Sequence, residues 1–170
     1  MMALHIVLLE PEIPQNTGNI ARTCAALGSE LHLVHPLGFS LDSRYLKRAG
    51  LDYWHLLKIV QWDSVTQFLE HNKGAALWFF TTKAPRTYVE VNYGDDAYLV
   101  FGKESAGIPE EILVDHRRNC LRIPMIDEAR SLNLSNSVAI AAYEYHRQKQ
   151  FEGMQASGRL HRLQWTVECQ

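Results

Sequence analysis

Six short apolar runs constrain the fold of this chain more than any other feature. They span residues 4–9, 31–34, 58–62, 75–80, 98–101 and 120–123. A run that is apolar at nearly every position, such as 4–9, is typical of a strand buried on both faces of a sheet. Most of the runs are separated by segments with helical spacing. The alternation predicts one α/β domain, in which a mostly parallel sheet is covered by helices on both faces.

The helices are predicted at residues 16–27, 41–49, 64–71, 108–114 and from 134 to about 150. In the last of these, a stripe of apolar residues recurs at helical spacing and indicates a face turned to a core. Ile140 and Tyr143 lie off that stripe and form a second apolar face. A helix that is apolar on two sides is either deeply buried or shared with a partner chain.

Length and composition exclude several classes of protein. A chain of 170 residues suits a single domain, and its net charge of −2 argues against a protein that coats nucleic acid without specificity. A local basic patch remains compatible with that charge. The three cysteines, Cys24, Cys120 and Cys169, have no CxxC spacing and no zinc-like pairing with histidine. We therefore predict a reduced, cytoplasmic protein without a metal, and neither a signal peptide nor a membrane span.

Three polar segments follow predicted strands, and ligands of parallel sheets bind beyond the carboxyl ends of the strands. They are residues 16–22, residues 102–107, and residues 123–125 taken together with 131–134. Each also has a purely structural explanation: a helix capped by Asn16 or Thr17, a turn with a solvated Glu104, and a capped helix. The three-glycine pattern of a dinucleotide-binding loop and the lysine pattern of a P-loop are both missing.

Taken together and in this order, the segments resemble the three motifs of the SPOUT class of RNA methyltransferases, which use S-adenosylmethionine. Within that class the chain is similar to the TrmL-like tRNA (cytidine/uridine-34) 2′-O-methyltransferases. The resemblance covers roughly residues 3–152. It is carried by LEPEIPQNTGNIAR (9–22), KRAGLDY (47–53), FGKESAG (101–107), RIPM (122–125) and RSLNLSN (130–136).

The resemblance implies a fold and a set of partners that pattern reading does not supply. It implies a deep C-terminal trefoil knot in a methyltransferase domain of residues 1–152. For the remaining segment, 153–170, the residues Gly153, Ser157 and Gly158 indicate a mobile tail. The resemblance further implies a homodimer that methylates the ribose at position 34 in tRNA anticodon stem-loops. The implied contacts to S-adenosylmethionine are Phe80, Thr81, Gly102, Glu104, Gly107, Ile123, Met125, Ser131, Leu132 and Asn133.

The implied catalytic residues are Arg22 and Asn16, with Arg22 serving the cofactor site of the other subunit. Arginine is a poor base because its pKa lies above about 12. We therefore interpret Arg22 as a phosphate clamp that orients the hydroxyl group, whose proton leaves through phosphate or solvent. For the RNA phosphates we predict Arg44, Lys47 and Arg48, although these three also fit a solvated helix face. Weaker candidates in the tail are Arg159, His161 and Arg162.

Three alternatives stay open from the sequence. The chain could be a SPOUT ribose methyltransferase that acts at another tRNA or rRNA position. It could be an RNA-binding relative without catalysis, or a nucleotide-binding α/β protein unrelated to RNA. The intact residues Asn16, Arg22, Glu104, Ser131 and Asn133 favour an enzyme over the second alternative.

Overall fold

A parallel sheet forms the centre of the chain in a computed structural model that describes residues 3–41 and 57–165. Within those residues it has six strands: β1 (Ala3–Leu9), β2 (Glu30–Val34), β3 (Ile59–Trp62), β4 (Ala76–Phe80), β5 (Asp96–Phe101) and β6 (Cys120–Leu121). Their order across the sheet is β3-β2-β1-β5-β4-β6, and every neighbouring pair is parallel. The predicted parallel α/β sheet is therefore confirmed.

Four α-helices accompany the sheet in the same residues: α1 (Pro14–Leu27), α2 (Val65–His71), α3 (Glu110–Asp115) and α4 (Leu134–Gln148). A short 3-10 helix, Arg117–Asn119, precedes β6. Successive side chains of β1 point to opposite faces, so Leu8 joins the core beneath α1 and α4, while Val7 joins a second core with Phe68 of α2. This double burial explains why residues 4–9 are apolar at nearly every position.

Helix α1 begins at Pro14, so the predicted start at Asn16 and the predicted cap by Asn16 or Thr17 are wrong. Proline suits the first helical turn, because its fixed φ matches the helix and its missing N–H would have no partner there. Ile13 occupies the position before the helix and offers no side-chain acceptor. The acceptor comes from a distant loop instead, as described below.

Helix α4 agrees closely with its predicted bounds and cap. The Asn133 side chain accepts from the backbone N–H groups of Ser135 and Asn136, which closes the first turn. Of the predicted core stripe, Leu134 is partly buried and the rest are buried: Val138, Ala141, Ala142 and Tyr145. By contrast, Tyr143 is 51% exposed and Ile140 is only partly buried. The second apolar face thus points away from the core of this chain.

Several predictions stay untested by the fold. The predicted helix at residues 41–49, with Arg44, Lys47 and Arg48, lies outside the described residues. The trefoil knot and the division at residue 152 stay predictions, although Met154 packs against the core and residues 155–165 are exposed. Among the described residues, no helix is long and apolar enough to cross a membrane.

Candidate active site

A cavity of about 480 Å³ opens at the carboxyl ends of β4, β5 and β6. Phe80 and Phe101 are the last residues of two of these strands, and Ile123 follows the third closely. The start of α1 and the segment before α4 close the other sides. The volume is in the range of about 300–1,000 Å³ that is usual for small-molecule sites.

All ten side chains or backbone positions that the resemblance implies for the cofactor line this cavity, and Asn16 joins them. They come from four separate segments, which meet because parallel strands end at one edge of the sheet. The lining also includes positions that we did not predict: Ile13, Thr82, Lys83, Phe101, Lys103, Ser105, Ala106, Ile108, Leu134 and Ser137. Helical spacing could have indicated Ser137, because it lies four residues after Asn133 and so shares its face.

A directed chain of hydrogen bonds joins the three polar segments. The Asn133 amide nitrogen Nδ2 donates to Asn16 Oδ1 at 2.9 Å, and Asn16 Nδ2 donates to Glu104 Oε1 at 3.0 Å. Glu104 is the terminal acceptor of the chain. The Asn133 amide can be oriented in only one way, because its oxygen Oδ1 accepts from the backbone N–H and the hydroxyl of Ser135. Its nitrogen Nδ2 is therefore the atom that faces Asn16. One polar network therefore holds one wall of the cavity.

The Glu104 carboxylate also supplies the missing cap of α1. It accepts from the backbone N–H of Glu12 at 2.8 Å and from that of Ile13 at 3.3 Å. These N–H groups have no acceptor within a helix start, and a carboxylate there interacts favourably with the helix dipole. The alternative of a turn with a solvated Glu104 is thus wrong, since both carboxylate oxygens are bound within the chain.

A second carboxylate ties the same two segments together in the opposite direction. Glu12 accepts from the Ser105 backbone N–H at 2.9 Å and from its hydroxyl at 2.8 Å. These two hydrogen bonds lower the pKa of Glu12 below its ordinary value. Lys103 donates to Glu10 at 2.8 Å beside them. We call the contact between Glu12 and Ser105 the Glu12 lock. The sequence did not predict it, because no local pattern relates residues that are 93 positions apart.

Gly102 and Gly107 shape the loop rather than merely leaving room for a ligand. A Cβ at Gly102 would overlap the backbone of Gly107 and Ile108. The Gly107 N–H donates to the carbonyl of Lys103 at 2.8 Å, and Gly107 has a φ of +70°, where glycine is favoured. The tight loop thereby keeps the Glu104 carboxylate against the start of α1.

The cavity combines apolar walls with a few polar groups. The rings of Phe80 and Phe101 stack with centroids 4.8 Å apart, and the side chains of Ile123, Met125 and Leu132 add aliphatic surface. Such surfaces suit a flat, largely apolar ring system, while nearby backbone and hydroxyl groups can bind its polar edges. The residues present therefore fit the adenosyl group of the implied cofactor.

Arg22 does not line the cavity of its own chain. It is exposed on α1, six residues after Asn16, which places it about 9 Å further along the helix axis and on a different side. Of the two predicted catalytic residues, Asn16 thus lines the cavity of its own chain and Arg22 does not.

The chain resembles known proteins over most of its length. Residues 3–143 match the sequence model of the SpoU rRNA Methylase family. A tRNA (cytidine(34)-2′-O)-methyltransferase of Saccharophagus degradans is 47% identical over 150 residues, which make up 88% of this chain and 97% of the relative.

Two solved structures share the fold of this chain. A structure concerned with the 2-OH methylation of C/U34 on tRNA superposes with a TM-score of 0.83 at 49% identity, and covers 89% of this chain and 99% of its own. An AdoMet-bound rRNA methyltransferase from Sinorhizobium meliloti gives a TM-score of 0.77 at 25% identity, covering 85% and 56% respectively.

Proposed function

The chain belongs to the SpoU rRNA methylase family, and from that premise we propose that it methylates the ribose 2′-hydroxyl of nucleoside 34 in tRNA, with S-adenosylmethionine as the methyl donor. One observation carries the proposal. The cavity at the carboxyl edge of the sheet gathers all ten residues expected around the cofactor, together with Asn16. The relatives named for modification at position 34 support the choice of substrate.

In this proposal the cavity binds S-adenosylmethionine, which supplies an electrophilic methyl group on a positively charged sulfur. Ile123, Met125 and Leu132 would enclose the adenine, and the loop from Gly102 to Gly107 would approach it with backbone groups. Glu104 would act mainly through the protein, because its oxygens already hold Asn16 and the start of α1. This assignment makes Glu104 a positioning residue for the cofactor wall.

Methyl transfer requires the attacking oxygen, the methyl carbon and the sulfur to lie in line, so the ribose must be held firmly. We assign this task to Arg22, whose planar guanidinium can hold a phosphate through two parallel hydrogen bonds. Asn16 would steady the same region from the cavity wall. The proton of the hydroxyl leaves through phosphate or solvent, and no metal is required for the step.

Because Arg22 lies away from the cavity of its own chain, we propose that it serves the cavity of a second copy in a homodimer. The outward apolar face of α4, with Ile140 and the half-exposed Tyr143, supports a helix shared between two chains. Sedimentation at micromolar protein concentration should show a dimer. A clean monomer would leave Arg22 without a cavity to serve.

The remaining parts of the proposal concern the RNA. Arg44, Lys47 and Arg48 are the proposed phosphate contacts to the anticodon stem-loop, and they lie outside the described residues. Lys83 and Lys103 line the cavity, but each is paired with a carboxylate, Glu110 and Glu10 respectively. The cytoplasm is the proposed place of action.

The decisive experiment combines methyl transfer with mapping of the product. Purified protein is incubated with labelled S-adenosylmethionine and tRNA from a strain that lacks the corresponding gene, and the tRNA is analysed by nucleoside mass spectrometry. We expect one 2′-O-methylated nucleoside per substrate tRNA, at position 34. A methyl group at another position would favour the alternative ribose methyltransferase. Retention of tRNA without transfer would favour the non-catalytic relative.

A further inference from the structure

A second cluster of polar side chains lies at the opposite edge of the sheet, near the amino ends of β1 and β2. His5 Nδ1 is 3.0 Å from His32 Nε2, and Glu30 Oε2 is 3.5 Å from the first nitrogen and 3.7 Å from the second. Both histidines are buried, at 8% and 3% exposure, and Glu30 is partly exposed. Among the described residues, no other group of histidine, cysteine and acidic side chains converges in this way.

The three atoms have the spacing of ligands around a small metal ion. Zinc binds imidazole nitrogen and carboxylate oxygen at about 2.0–2.2 Å, so the corners of its tetrahedron are about 3.3–3.6 Å apart. The observed triangle brackets that value. We propose that His5, His32 and Glu30 form a binding site for a first-row transition-metal dication of the zinc type, with water as the fourth ligand.

The surroundings of His5 favour this role. Its other nitrogen, Nε2, is 3.0 Å from Asp96 Oδ1. The carboxylate can accept a hydrogen bond from Nε2–H, so that Nδ1 carries the lone pair that would bind the metal. Carboxylates behind metal-bound histidines orient the ring and raise its basicity. Tyr98 stacks on His5 with ring centroids 4.1 Å apart, which further fixes the ring plane. The second oxygen of Glu30 is bound by Lys58, on the exposed side of the cluster.

Metal binding at this site would compete with a hydrogen bond from Trp62 to His32. Its indole Nε1–H can only donate, and it lies 3.0 Å from His32 Nδ1. Without metal, the neutral His32 therefore carries its proton on Nε2 and donates it to His5 Nδ1. Metal binding at Nε2 requires that proton to move to Nδ1, where it would face the indole N–H. Hydrogen bonding by Trp62 and metal binding by His32 thus compete.

The competition predicts an unusual pattern of variants. His5→Gln and His32→Gln should each lower the affinity for Zn²⁺ by more than about 100-fold, because each removes a ligand, whereas loss of an outer partner typically costs 10–100-fold. Asp96→Asn should fall in that smaller range. Trp62→Phe should raise the affinity by about fivefold, since it removes one competing neutral hydrogen bond. His161→Gln, at an exposed histidine of the segment after α4, should leave the affinity unchanged.

The affinity is measured with the full chain at pH 7.5, after dialysis against a chelator, by competition between the protein and a chromophoric zinc indicator. Cobalt titration of the wild-type protein provides a test that needs no variant, because tetrahedral Co²⁺ with nitrogen and oxygen ligands has intense visible absorption. Equal zinc binding by wild type, His5→Gln and His32→Gln would place the metal elsewhere and overturn the proposal. Weak cobalt absorption, or lower zinc affinity in Trp62→Phe, would leave only a hydrogen-bonded histidine pair. None of these readouts depends on methyl transfer, so the proposed function is tested separately.

Discussion

The two ends of the sheet use similar polar residues in opposite ways. At the carboxyl end, Asn133, Asn16 and Glu104 are bonded into a wall that borders an open cavity. At the amino end, His5 and His32 contact each other directly and are enclosed by aromatic rings. The first end leaves a cavity of about 480 Å³ that suits an organic molecule, whereas the side chains of the second are packed against each other. Side chains that are bonded within a wall leave the space in front of them open to a ligand, whereas side chains that are bonded to each other must give up that contact before they can bind an ion.

This difference predicts that substitutions at the two ends separate into two classes. Changes at the carboxyl end should alter cofactor binding or methyl transfer, and changes at the amino end should alter stability and zinc affinity but neither of those two activities.

The largest effect is expected for Arg22, which lies outside both ends in its own chain. Arg22→Ala should reduce methyl transfer by about 100- to 1,000-fold, as is typical when a group that positions or stabilises the reacting atoms is lost. The affinity for S-adenosylmethionine, measured by calorimetry, should stay within about twofold of wild type. Arg22→Lys should recover little activity, because an ammonium group lacks the planar fork that holds a phosphate bidentately.

Mixed dimers show which copy Arg22 serves. One subunit carries Arg22→Ala, and the other carries Gly102→Val, whose side chain would overlap the backbone of Gly107 and disrupt the cofactor loop. A site shared across the interface leaves one composite site intact, so about half of the activity should survive if the two sites act independently. An inactive mixed dimer that still binds cofactor and tRNA would contradict action across the interface.

The second prediction concerns the hydrogen-bonded wall of the cavity, from which Glu104 is removed. Glu104→Ala leaves the N–H groups of Glu12 and Ile13 and the amide of Asn16 without their acceptor. We expect the free energy of unfolding to fall by about 2–3 kcal/mol, the usual worth of hydrogen bonds to a charged group. Cofactor affinity should fall at least about tenfold because the wall is no longer held.

Denaturant unfolding and calorimetric titration measure these two effects. Glu70→Ala, at an exposed glutamate of α2, serves as the matched control and should change neither. Unchanged cofactor affinity in Glu104→Ala would show that the cavity keeps its shape without the network.

The sequence predicted the sheet well and the contacts between its loops poorly, for a physical reason. Strands such as residues 4–9 can be predicted because both faces of the strand are buried, which makes nearly every position apolar. Helix α4 can be predicted because its cap, Asn133, directly precedes it in the sequence. Helix α1 was placed too late, since its cap comes from Glu104, 91 and 92 positions away from the amides it accepts from. The histidine cluster was missed for the same reason: His5 and His32 are 27 residues apart and meet only through strand pairing.

The residues of the cavity were reached by resemblance and not by periodicity. Ile123, Met125 and Leu132 are apolar residues, as in a core, yet they line an open cavity. Nothing in their spacing distinguishes a wall from a core, because both require apolar surface. Glu12 and Ser105 show the converse, since two ordinary surface residues hold the loops together.

The third prediction concerns the amino end. Trp62→Phe keeps an aromatic ring but leaves His32 Nδ1 without its donor. The free energy of unfolding, measured in chelator-containing buffer, should fall by about 1 kcal/mol, the net worth of one buried hydrogen bond. Cofactor affinity and methyl transfer should both match wild type. A clear loss of cofactor affinity in this variant would mean that the two ends of the sheet are coupled.

The smallest effect is expected from the Glu12 lock, and it depends on pH. Hydrogen bonds from Ser105 hold the pKa of Glu12 below its ordinary 4.5, so the charged form is favoured in the folded state. The resulting stabilisation is complete above pH 4.5 and is lost as the pH falls through the folded-state pKa, where the carboxylate takes up a proton.

Ser105→Ala should therefore lower the melting temperature at pH 7 by less than about 2 °C, because the contact is exposed to solvent. The difference between wild type and variant should shrink at pH 3. The glutamine of Glu12→Gln cannot ionise. In that variant, adding Ser105→Ala should therefore change the melting temperature by the same amount at pH 7 and pH 3. A difference that is equally large at pH 7 and pH 3 would mean that Ser105 acts through its own backbone conformation and not through the charge on Glu12.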